Sequence, residues 1–285
     1  MKIAISGSTG YIAKNLIHEL EIDHHDIIRI PRSKLYDIDQ LAELLSGTSV
    51  VINLAGAPIL IRWTKANKNE ILRSRIDTTQ NIVKAINRLN EAKRPSLFIS
   101  ASAIGIYSPG KLHTEESNSL ASDFVGEVVK SWENASAELS HSVRKVVFRI
   151  GVILGKEAKT IQKLVPVIKM GLGGKIGTGR QPFPFIHIRD AIRAILWSIE
   201  NEKAQGIYNL VAPENIDNKT FTQTLGEFLN RPVLFTVPAF SLKILLGEAS
   251  TLLLQSPQVY PERLLNEGFK FSFPDINSCI TEIIQ

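Results

Sequence analysis

The first thirteen residues constrain the fold more than any other part of the chain. The apolar run from Lys2 to Ser6 predicts a short buried strand, and the residues from Tyr11 onward have the apolar spacing of an amphipathic helix. Between them, Gly7 and Gly10 predict a tight turn that leaves backbone N–H groups free at the helix N-terminus. Such amides bind phosphate groups, and the helix dipole favours the negative charge. The sequence therefore predicts a dinucleotide-binding unit at its start.

Segments with strand and helix patterns alternate through the first half of the chain. The predicted elements are, in order, Ile3–Ser6, Tyr11–Leu20, Asp26–Ile30, Asp39–Leu45, Val50–Leu54, Asn67–Leu89, Leu97–Ser100, Phe124–Leu139 and Val143–Ile150. Such alternation predicts an α/β fold with a doubly wound parallel sheet, the Rossmann arrangement. We predict a Rossmann domain over 1–155, to which 185–212 returns, and a smaller α/β substrate-side domain over 156–184 and 213–285.

Composition and charge narrow the class of protein. A single cysteine, Cys279, excludes an internal disulfide and a cysteine-based metal site, and we predict no metal. Met1 leads directly into the first strand, which predicts no signal peptide and a cytoplasmic location. No apolar run is long enough to span a bilayer, so Phe240–Leu254 is interpreted as a buried helix, with no membrane contact. The net charge of +5 is scattered, which argues against a nucleic-acid partner and leaves a small-molecule substrate. Nothing in the sequence indicates an oligomer.

The end of the second predicted strand bears on the choice of cofactor. An acid at this place would bind the ribose hydroxyls of NAD, but none appears before Asp37. Arg32 and Ser33 suit the 2′-phosphate of NADP instead, because a guanidinium forms paired bonds with phosphate oxygens. The alternative is that Arg32 is an ordinary solvated arginine. We therefore predict NADP, with NADPH preferred over NADH.

The predicted cofactor site combines this strand end with the glycine turn and with small residues after the third strand. Asp37 and Ile38 are expected to border the adenine, and the small residues leave room for a flat ligand at the sheet edge. The predicted cofactor-binding residues are Gly7, Ser8, Thr9, Gly10, Tyr11, Ile12, Arg32, Ser33, Asp37, Ile38, Leu54, Ala55, Gly56 and Ala57.

Motifs along nearly the whole chain carry a resemblance to a known family. They are Gly7–Ile12, Asn53–Pro58, Arg62–Thr64, Ser74–Arg75, Trp132–Glu133, Arg149–Gly151, Gly171–Gly174, Phe185–Ile188, Val259–Leu265 and Gly268–Phe269. By these stretches the chain resembles the extended short-chain dehydrogenase/reductases, the superfamily of nucleotide-sugar epimerases and dehydratases. More closely, it resembles the YfcH-like epimerase family, including its small C-terminal domain. The resemblance implies an NADP-dependent oxidoreductase or epimerase acting on a small polar, nucleotide-sugar-like substrate.

The chain departs from the superfamily at the predicted active site. Relatives in the superfamily use a Tyr-x-x-x-Lys pair on the helix after the serine strand, where the lysine lowers the pKa of the tyrosine. By this resemblance Lys130 is the motif lysine, which would hold the nicotinamide ribose, and the tyrosine position falls on Gly126. The literal match from Tyr107 to Lys111 contains Pro-Gly, which cannot lie inside a helix.

The group that replaces this tyrosine stays open. Ser102, at the end of its strand, is expected to bond a substrate oxygen, with a simple turn serine as the alternative. Tyr107 offers a phenol and Glu127 a carboxylate, although a packing role and a solvated surface position are their alternatives. With Lys130, these residues are the catalytic candidates. The missing tyrosine also motivates a second hypothesis, a dinucleotide-binding sensor or scaffold with little turnover.

Four further residues are candidates for binding the substrate. Arg62, Trp63 and Arg75 are expected to face a phosphate or carboxylate, because arginine pairs with both groups. A structural ion pair is the alternative for these arginines. His187 titrates near neutral pH and is expected in the same region, with a buried structural histidine as the alternative.

Overall fold

A six-stranded parallel sheet forms the centre of the protein, whose computed structural model describes residues 1–285. The strands are β1 (Lys2–Ser6), β2 (Asp26–Ile30), β3 (Val50–Asn53), β4 (Leu97–Ala103), β5 (Leu112–His113), β6 (Arg144–Ile150), β7 (Val152–Leu154), β8 (Gly174–Ile176), β9 (Phe185–His187), β10 (Gly206–Leu210), β11 (Phe235–Val237) and β12 (Gln258–Val259). The order in the central sheet is β2-β1-β3-β4-β6-β10, and the remaining strands form the pairs β7–β9, β8–β11 and β5–β12. The predicted doubly wound α/β fold is confirmed.

Helices cover both faces of this sheet. They are α1 (Tyr11–Ile22), α2 (Ile38–Leu45), α3 (Lys65–Arg73), α4 (Ile76–Arg88), α5 (Phe124–Asn134), α6 (Lys159–Lys169), α7 (Ile188–Glu200), α8 (Asn218–Phe228), α9 (Ala239–Leu246), α10 (Thr251–Leu254), α11 (Glu262–Asn266) and α12 (Ile276–Ile284). Helices α1 and α7 share one apolar cluster with the sheet, and α2 and α4 share another. Because both faces are covered, β3 carries four buried residues in succession.

The helix predicted over Asn67–Leu89 is two helices, and the break positions the site. Between α3 and α4, the Ser74 hydroxyl accepts a hydrogen bond from the Ala57 N–H at 3.0 Å. The Arg75 guanidinium donates to the Ala57 carbonyl oxygen, also at 3.0 Å. The chain therefore turns between α3 and α4, at the residues that bond the loop after β3. Helix α3 then lies beside the open space that borders this loop.

The segment Phe240–Leu254 also differs from its prediction. It forms α9, a 3-10 turn over 247–250 and α10, and Gly247 has a φ of 62° at the end of α9. Helix α9 contains no buried residue. The prediction of one buried helix is wrong because it rested on apolar composition alone. The apolar residues of this segment do not recur at the helical spacing that would give a helix one buried face and one exposed face.

The C-terminal half adds its own packing around the sheet edge. Helices α6, α8 and α12 share a third apolar cluster with β7 and β9. A fourth cluster joins Ile104, Val125 and Val259, above the carboxyl ends of the central strands. Strand β10 pairs with β6 as the last strand of the central sheet. The division into two domains stays a prediction.

Candidate cofactor and substrate site

The turn between β1 and α1 presents its backbone amides without a side-chain partner. Gly7 has a φ of 68°, and its carbonyl oxygen accepts a hydrogen bond from the Gly10 N–H at 2.9 Å. The Lys14 N–H donates to the Gly10 carbonyl oxygen and closes the first turn of α1. The first N–H groups of a helix have no hydrogen-bond partner within the helix. At the N-terminus of α1, Gly10 has no side chain that could accept a hydrogen bond from them. No acidic residue lies in this first turn, so the positive end of the helix dipole is not neutralised.

The two glycines of this turn have different physical roles. A Cβ added to Gly7 would lie 2.6 Å from the Leu54 carbonyl oxygen, so Gly7 lets the ends of β1 and β3 approach each other. A Cβ added to Gly10 would meet only the Gly7 carbonyl oxygen, at 3.1 Å, and otherwise open space. The packing of the chain requires glycine at position 7, whereas a side chain at position 10 requires only a small shift of the Gly7 carbonyl oxygen. The open space beside Gly10 matches what a bound diphosphate needs.

A cavity of about 440 Å³ opens beside this turn. Its walls come from the turn itself, the end of β2, the loop after β3, and α3. The predicted cofactor residues that line it are Gly7, Ser8, Thr9, Arg32, Ala55, Gly56 and Ala57. Helix α3 contributes Asn67, Glu70 and Ile71, which the sequence analysis missed. No sequence signal marked them, because they reach the cavity only through the break at Ser74.

Arg32 lies at the mouth of this cavity and is held by α3. Its Nη2 is 2.6 Å from the Glu70 Oε1, and 74% of the Arg32 side chain is exposed. The hydrogen bond from Arg32 to Glu70 raises the pKa of the guanidinium, which stays charged. Exposed pairs of this kind contribute little to stability. Glu70 is therefore a weakly held partner of Arg32.

Gly10, whose neighbouring amides are expected to hold the diphosphate, does not line the cavity, and several other predicted cofactor residues also lie outside its wall. Asp37 caps α2, where its carboxylate accepts a hydrogen bond from the Gln40 N–H at 3.1 Å, and Ile38 packs against an apolar cluster. Neither residue lines the cavity, and their place at the adenine stays a prediction. Ser33 is exposed in the 3-10 turn after β2. The side chains of Tyr11, Ile12 and Leu54 are partly buried against an apolar cluster, and none of the three lines this cavity.

Arg75 is a half-buried guanidinium that forms no ion pair. It donates to the carbonyl oxygens of Ile71 at 3.1 Å and Ala57 at 3.0 Å, and it lies 5.2 Å from the centroid of the Trp132 ring. Burial lowers its pKa to about 10. The structural ion pair considered as an alternative is not formed. A cation without a counter-charge, beside Gly56 at the cavity, is suited to a phosphate or carboxylate.

A buried polar network occupies the place where Ser102 and Tyr107 were expected to act. The Ser102 hydroxyl donates to the Glu133 carboxylate at 2.5 Å, and Arg149 donates to both oxygens of that carboxylate at 2.8 Å. Arg149 also donates to the Tyr107 hydroxyl, which in turn donates to Asn209. Burial raises the pKa of Tyr107, and its side chain is 1% exposed. The expectation that Tyr107 handles a proton at the rim does not fit this position; its phenol is a structural group.

The tyrosine position of the superfamily motif is closed by packing. A Cβ added to Gly126 would lie 2.3 Å from the Ala121 carbonyl oxygen and 2.7 Å from its Cβ. No larger side chain fits there. One turn further along α5, the Lys130 Nζ is 2.7 Å from Glu127 Oε1, and the Glu127 side chain is 61% exposed. Glu127 is therefore a solvated residue paired with Lys130, in agreement with the alternative and not with the role of a base.

The loop after β3 connects the cavity to the C-terminal helices. The Arg62 guanidinium donates to the Ile244 carbonyl oxygen on α9 at 3.2 Å. The Trp63 indole N–H donates to the Ile59 carbonyl oxygen at 2.9 Å, and its ring meets the edge of Phe124 at 4.9 Å. Arg62 thus bonds α9, whereas Trp63 packs on α5.

His187 is not a substrate residue. It is fully buried at the end of β9, and its Nε2 is 2.8 Å from the Glu282 Oε2 on α12. Its Nδ1 accepts a hydrogen bond from the Arg189 N–H, which caps α7, and its ring lies 3.9 Å from Phe273. Burial lowers the pKa of His187. The prediction of a substrate role is wrong, because both ring nitrogens hold structural elements together.

Comparisons with known proteins agree with this geometry. A family model described as the NAD dependent epimerase/dehydratase family matches residues 3–210, and a domain of unknown function (DUF1731) matches residues 237–283. The epimerase family protein SDR39U1 of Mus musculus is 34% identical over all of this chain and all of its own length. Its homolog from Arabidopsis thaliana, named chloroplastic, is 32% identical over all of this chain and 87% of its own length.

The fold also matches a solved structure over its full length. The crystal structure of human epimerase family protein SDR39U1 (isoform 2) with NADPH has a TM-score of 0.93 and 31% identity, and the match covers all of this chain and 99% of the human one. No helix of the present protein combines the length and apolar character that crossing a bilayer requires. Motifs, fold and relatives together show that this chain belongs to the NAD-dependent epimerase/dehydratase family, in the branch that carries the DUF1731 domain.

Proposed function

We propose that the protein is an NADPH-preferring oxidoreductase or epimerase that acts on a small polar substrate. The cavity beside the glycine turn carries this proposal, because its wall contains seven of the predicted cofactor residues. The amides around Gly10 would hold the diphosphate, and Arg32 would leave Glu70 to bind the 2′-phosphate. When bound, the nicotinamide supplies or accepts a hydride at a substrate carbon.

The cofactor preference rests on charge at the mouth of the cavity. Arg32 is the cation at the end of β2, and its partner Glu70 is exposed and replaceable. The NADPH in the human relative supports the same preference. The predicted cytoplasmic location stays a prediction, and the Arabidopsis relative carries the name chloroplastic.

The residues of this chain divide the remaining work between binding and positioning. Arg75 would bind an anionic group of the substrate or cofactor beside Gly56. Ser102 is 3% exposed and its hydroxyl donates its hydrogen to the Glu133 carboxylate, which Arg149 holds, so toward a substrate it would accept a hydrogen bond from a hydroxyl group. Lys130 would hold the nicotinamide ribose after it leaves Glu127. A tyrosine has no room at position 126, since a Cβ there would lie 2.3 Å from the Ala121 carbonyl oxygen, and the group that would replace it stays open.

A second function is favoured by that closed position. If no proton donor reaches the substrate, the protein would bind NADPH as a sensor or scaffold with little turnover. The contact between Gly126 and Ala121 supports this candidate, because it blocks the group on which relatives depend for proton transfer.

Calorimetric titration with NADPH and NADH, followed by a turnover assay, tests both candidates. Wild-type protein is expected to bind NADPH more tightly than NADH, and Arg32→Ala should weaken NADPH by about tenfold or more while it changes NADH little. Arg73→Ala is the matched control, since Arg73 is an exposed arginine of α3 paired with Asp77. Equal losses for both nucleotides would contradict the role of Arg32.

NADPH oxidation with a panel of carbonyl compounds then separates enzyme from sensor. Turnover that is lost in Ser102→Ala, with NADPH affinity retained, supports the enzyme. Tight NADPH binding without turnover on any compound supports the sensor.

A further inference from the structure

The exposed apolar side chains of the protein are concentrated on one part of the C-terminal half. Fourteen large hydrophobic residues are exposed in the whole chain, and eight of them lie in the segments 159–180 and 230–247. These eight are Val167, Met170, Leu172, Leu234, Phe235, Phe240, Ile244 and Leu245. The two segments contain only 40 of the 285 residues. Such a concentration on a folded surface indicates an interaction site.

Backbone contacts join the two segments into one surface. Strand β8 pairs with β11, and the Phe235 N–H donates to the Gly173 carbonyl oxygen at 3.3 Å. The Arg231 guanidinium donates to the Lys169 carbonyl oxygen at 3.1 Å. Helix α9 follows directly after β11, and its Ile244 is 70% exposed. We call the surface of these two segments the α6–α9 face.

The charge of the α6–α9 face has a single sign. Its segments contain seven basic residues and neither aspartate nor glutamate, although the net charge of the whole chain is only +5. The seven are Lys159, Lys163, Lys169, Lys175, Arg180, Arg231 and Lys243. Of the flanking acids, Glu248 is bound to the Lys68 Nζ at 2.5 Å, and Glu227 lies on α8. The face is therefore both apolar and basic.

We propose that the α6–α9 face docks on the surface of an anionic lipid bilayer. Exposed apolar side chains enter the interfacial region of a bilayer, and lysines beside them are attracted to anionic headgroups. A second copy of the chain would bring two basic faces together, which like-charge repulsion opposes. A lipid surface offers both the apolar phase and the negative charge. The contact concerns the surface of the bilayer, so it departs from the sequence expectation of no membrane contact without requiring a membrane span.

Such docking would place the candidate site next to the membrane. Ile244 of α9 accepts a hydrogen bond from Arg62, which lies on the loop that continues from the cofactor cavity. The proposal does not depend on the proposed function, because NADPH binding and membrane docking use different residues.

Co-sedimentation of the full-length protein with vesicles tests this inference. The protein is expected to sediment with vesicles of phosphatidylcholine and phosphatidylglycerol, but not with phosphatidylcholine alone, and added salt should weaken the binding. Lys169→Glu combined with Lys243→Glu should weaken binding by about twentyfold or more. Lys84→Glu with Lys111→Glu is the matched control, since both lysines are exposed elsewhere and should leave binding unchanged.

The apolar contribution is tested in the same assay. Phe240→Ser with Ile244→Ser should abolish sedimentation, whereas Ile22→Ser with Leu112→Ser, which are 56% and 53% exposed elsewhere, should not. All four variants are expected to keep the NADPH affinity and melting temperature of the wild type, because the altered side chains are exposed.

Three results would overturn the inference. They are absence of binding to anionic vesicles, equal binding to neutral vesicles, and equal losses in the control variants. A concentration-dependent dimer that Phe240→Ser with Ile244→Ser abolishes, without vesicle binding, would instead assign the face to a second copy.

Discussion

The two sides of the candidate site are held together by different kinds of contact. On the sheet side, Ser6 donates to Asn53 at 2.6 Å, and Asn53 and Trp132 both donate to the Thr79 hydroxyl. These groups are buried and satisfied, as are those of the network from Ser102 to Asn209. Buried networks of this kind fix a single arrangement, so the strands and helices behind the proposed cofactor cavity are held in place.

The α9 side has no comparable network. Its links to the sheet side are the exposed hydrogen bond from Arg62 to Ile244 and the pair of Lys68 with Glu248. Exposed contacts of this kind contribute about 0–1 kcal/mol each. The difference shows that buried polar networks hold the sheet side, whereas α9, which has no buried residue, is held to that side by few polar contacts.

The largest change in stability is expected when the Arg149 guanidinium is removed from the buried network on the sheet side. Arg149→Leu leaves the buried Glu133 carboxylate without its partner, and such a loss costs about 3–5 kcal/mol in the free energy of unfolding. Urea denaturation measures it. Lys68→Leu breaks the pair with Glu248 on the α9 side and should cost less than about 1 kcal/mol. Similar losses in both variants would remove the distinction between the two kinds of contact.

A pair of glycine substitutions sharpens the account of the cofactor turn. Gly7 and Gly47 both have a positive φ, of 68° and 74°, but only Gly7 has backbone atoms within 4 Å of an added Cβ. Gly7→Ala should cost about 3 kcal/mol through strain and overpacking, whereas Gly47→Ala should cost about 1 kcal/mol through strain alone. Thermal unfolding of the two variants measures this difference. If both variants melt together, the close approach of β1 and β3 is not what requires glycine.

A change of pH should alter the melting temperature by a smaller amount, through His187 and its contact with Glu282 of α12. Burial lowers the pKa of His187 below its ordinary value, so neutral His187 stabilises the fold at neutral pH and this stability is lost as the pH falls through the lowered pKa. The melting temperature of the wild type should therefore decrease between about pH 7 and about pH 5. His187→Asn can still cap α7 but does not titrate, so its melting temperature should decrease less. An equal decrease in both proteins would assign the pH dependence to other groups.

Many features of the sheet side could be predicted from the sequence. Strand β2 has the predicted bounds, α5 begins at the predicted Phe124, and seven predicted cofactor residues line the cavity. These features depend on local patterns, since apolar runs, capping residues and glycine turns determine them within a few residues.

The rest depends on contacts between distant residues. The pair of Glu133 and Arg149 joins α5 to β6, and Glu70 reaches Arg32 across 38 positions of the chain, so no local pattern predicts either contact. The position of Gly126 followed from motif spacing, but its closure by Ala121 follows only from the path of the preceding loop. Apolar composition without period likewise gave no information on whether α9 is covered.

The affinity of Gly10→Val for NADPH tests the central claim most directly. A Cβ at this position would lie 3.1 Å from the Gly7 carbonyl oxygen and meet no other neighbour, so the variant should fold with a modestly lower melting temperature than the wild type. Because the valine would occupy the space of the diphosphate, calorimetry should detect no NADPH binding to the variant and clear binding to the wild type. Unchanged NADPH affinity in a folded variant would contradict the assignment of the β1–α1 turn as the cofactor cradle.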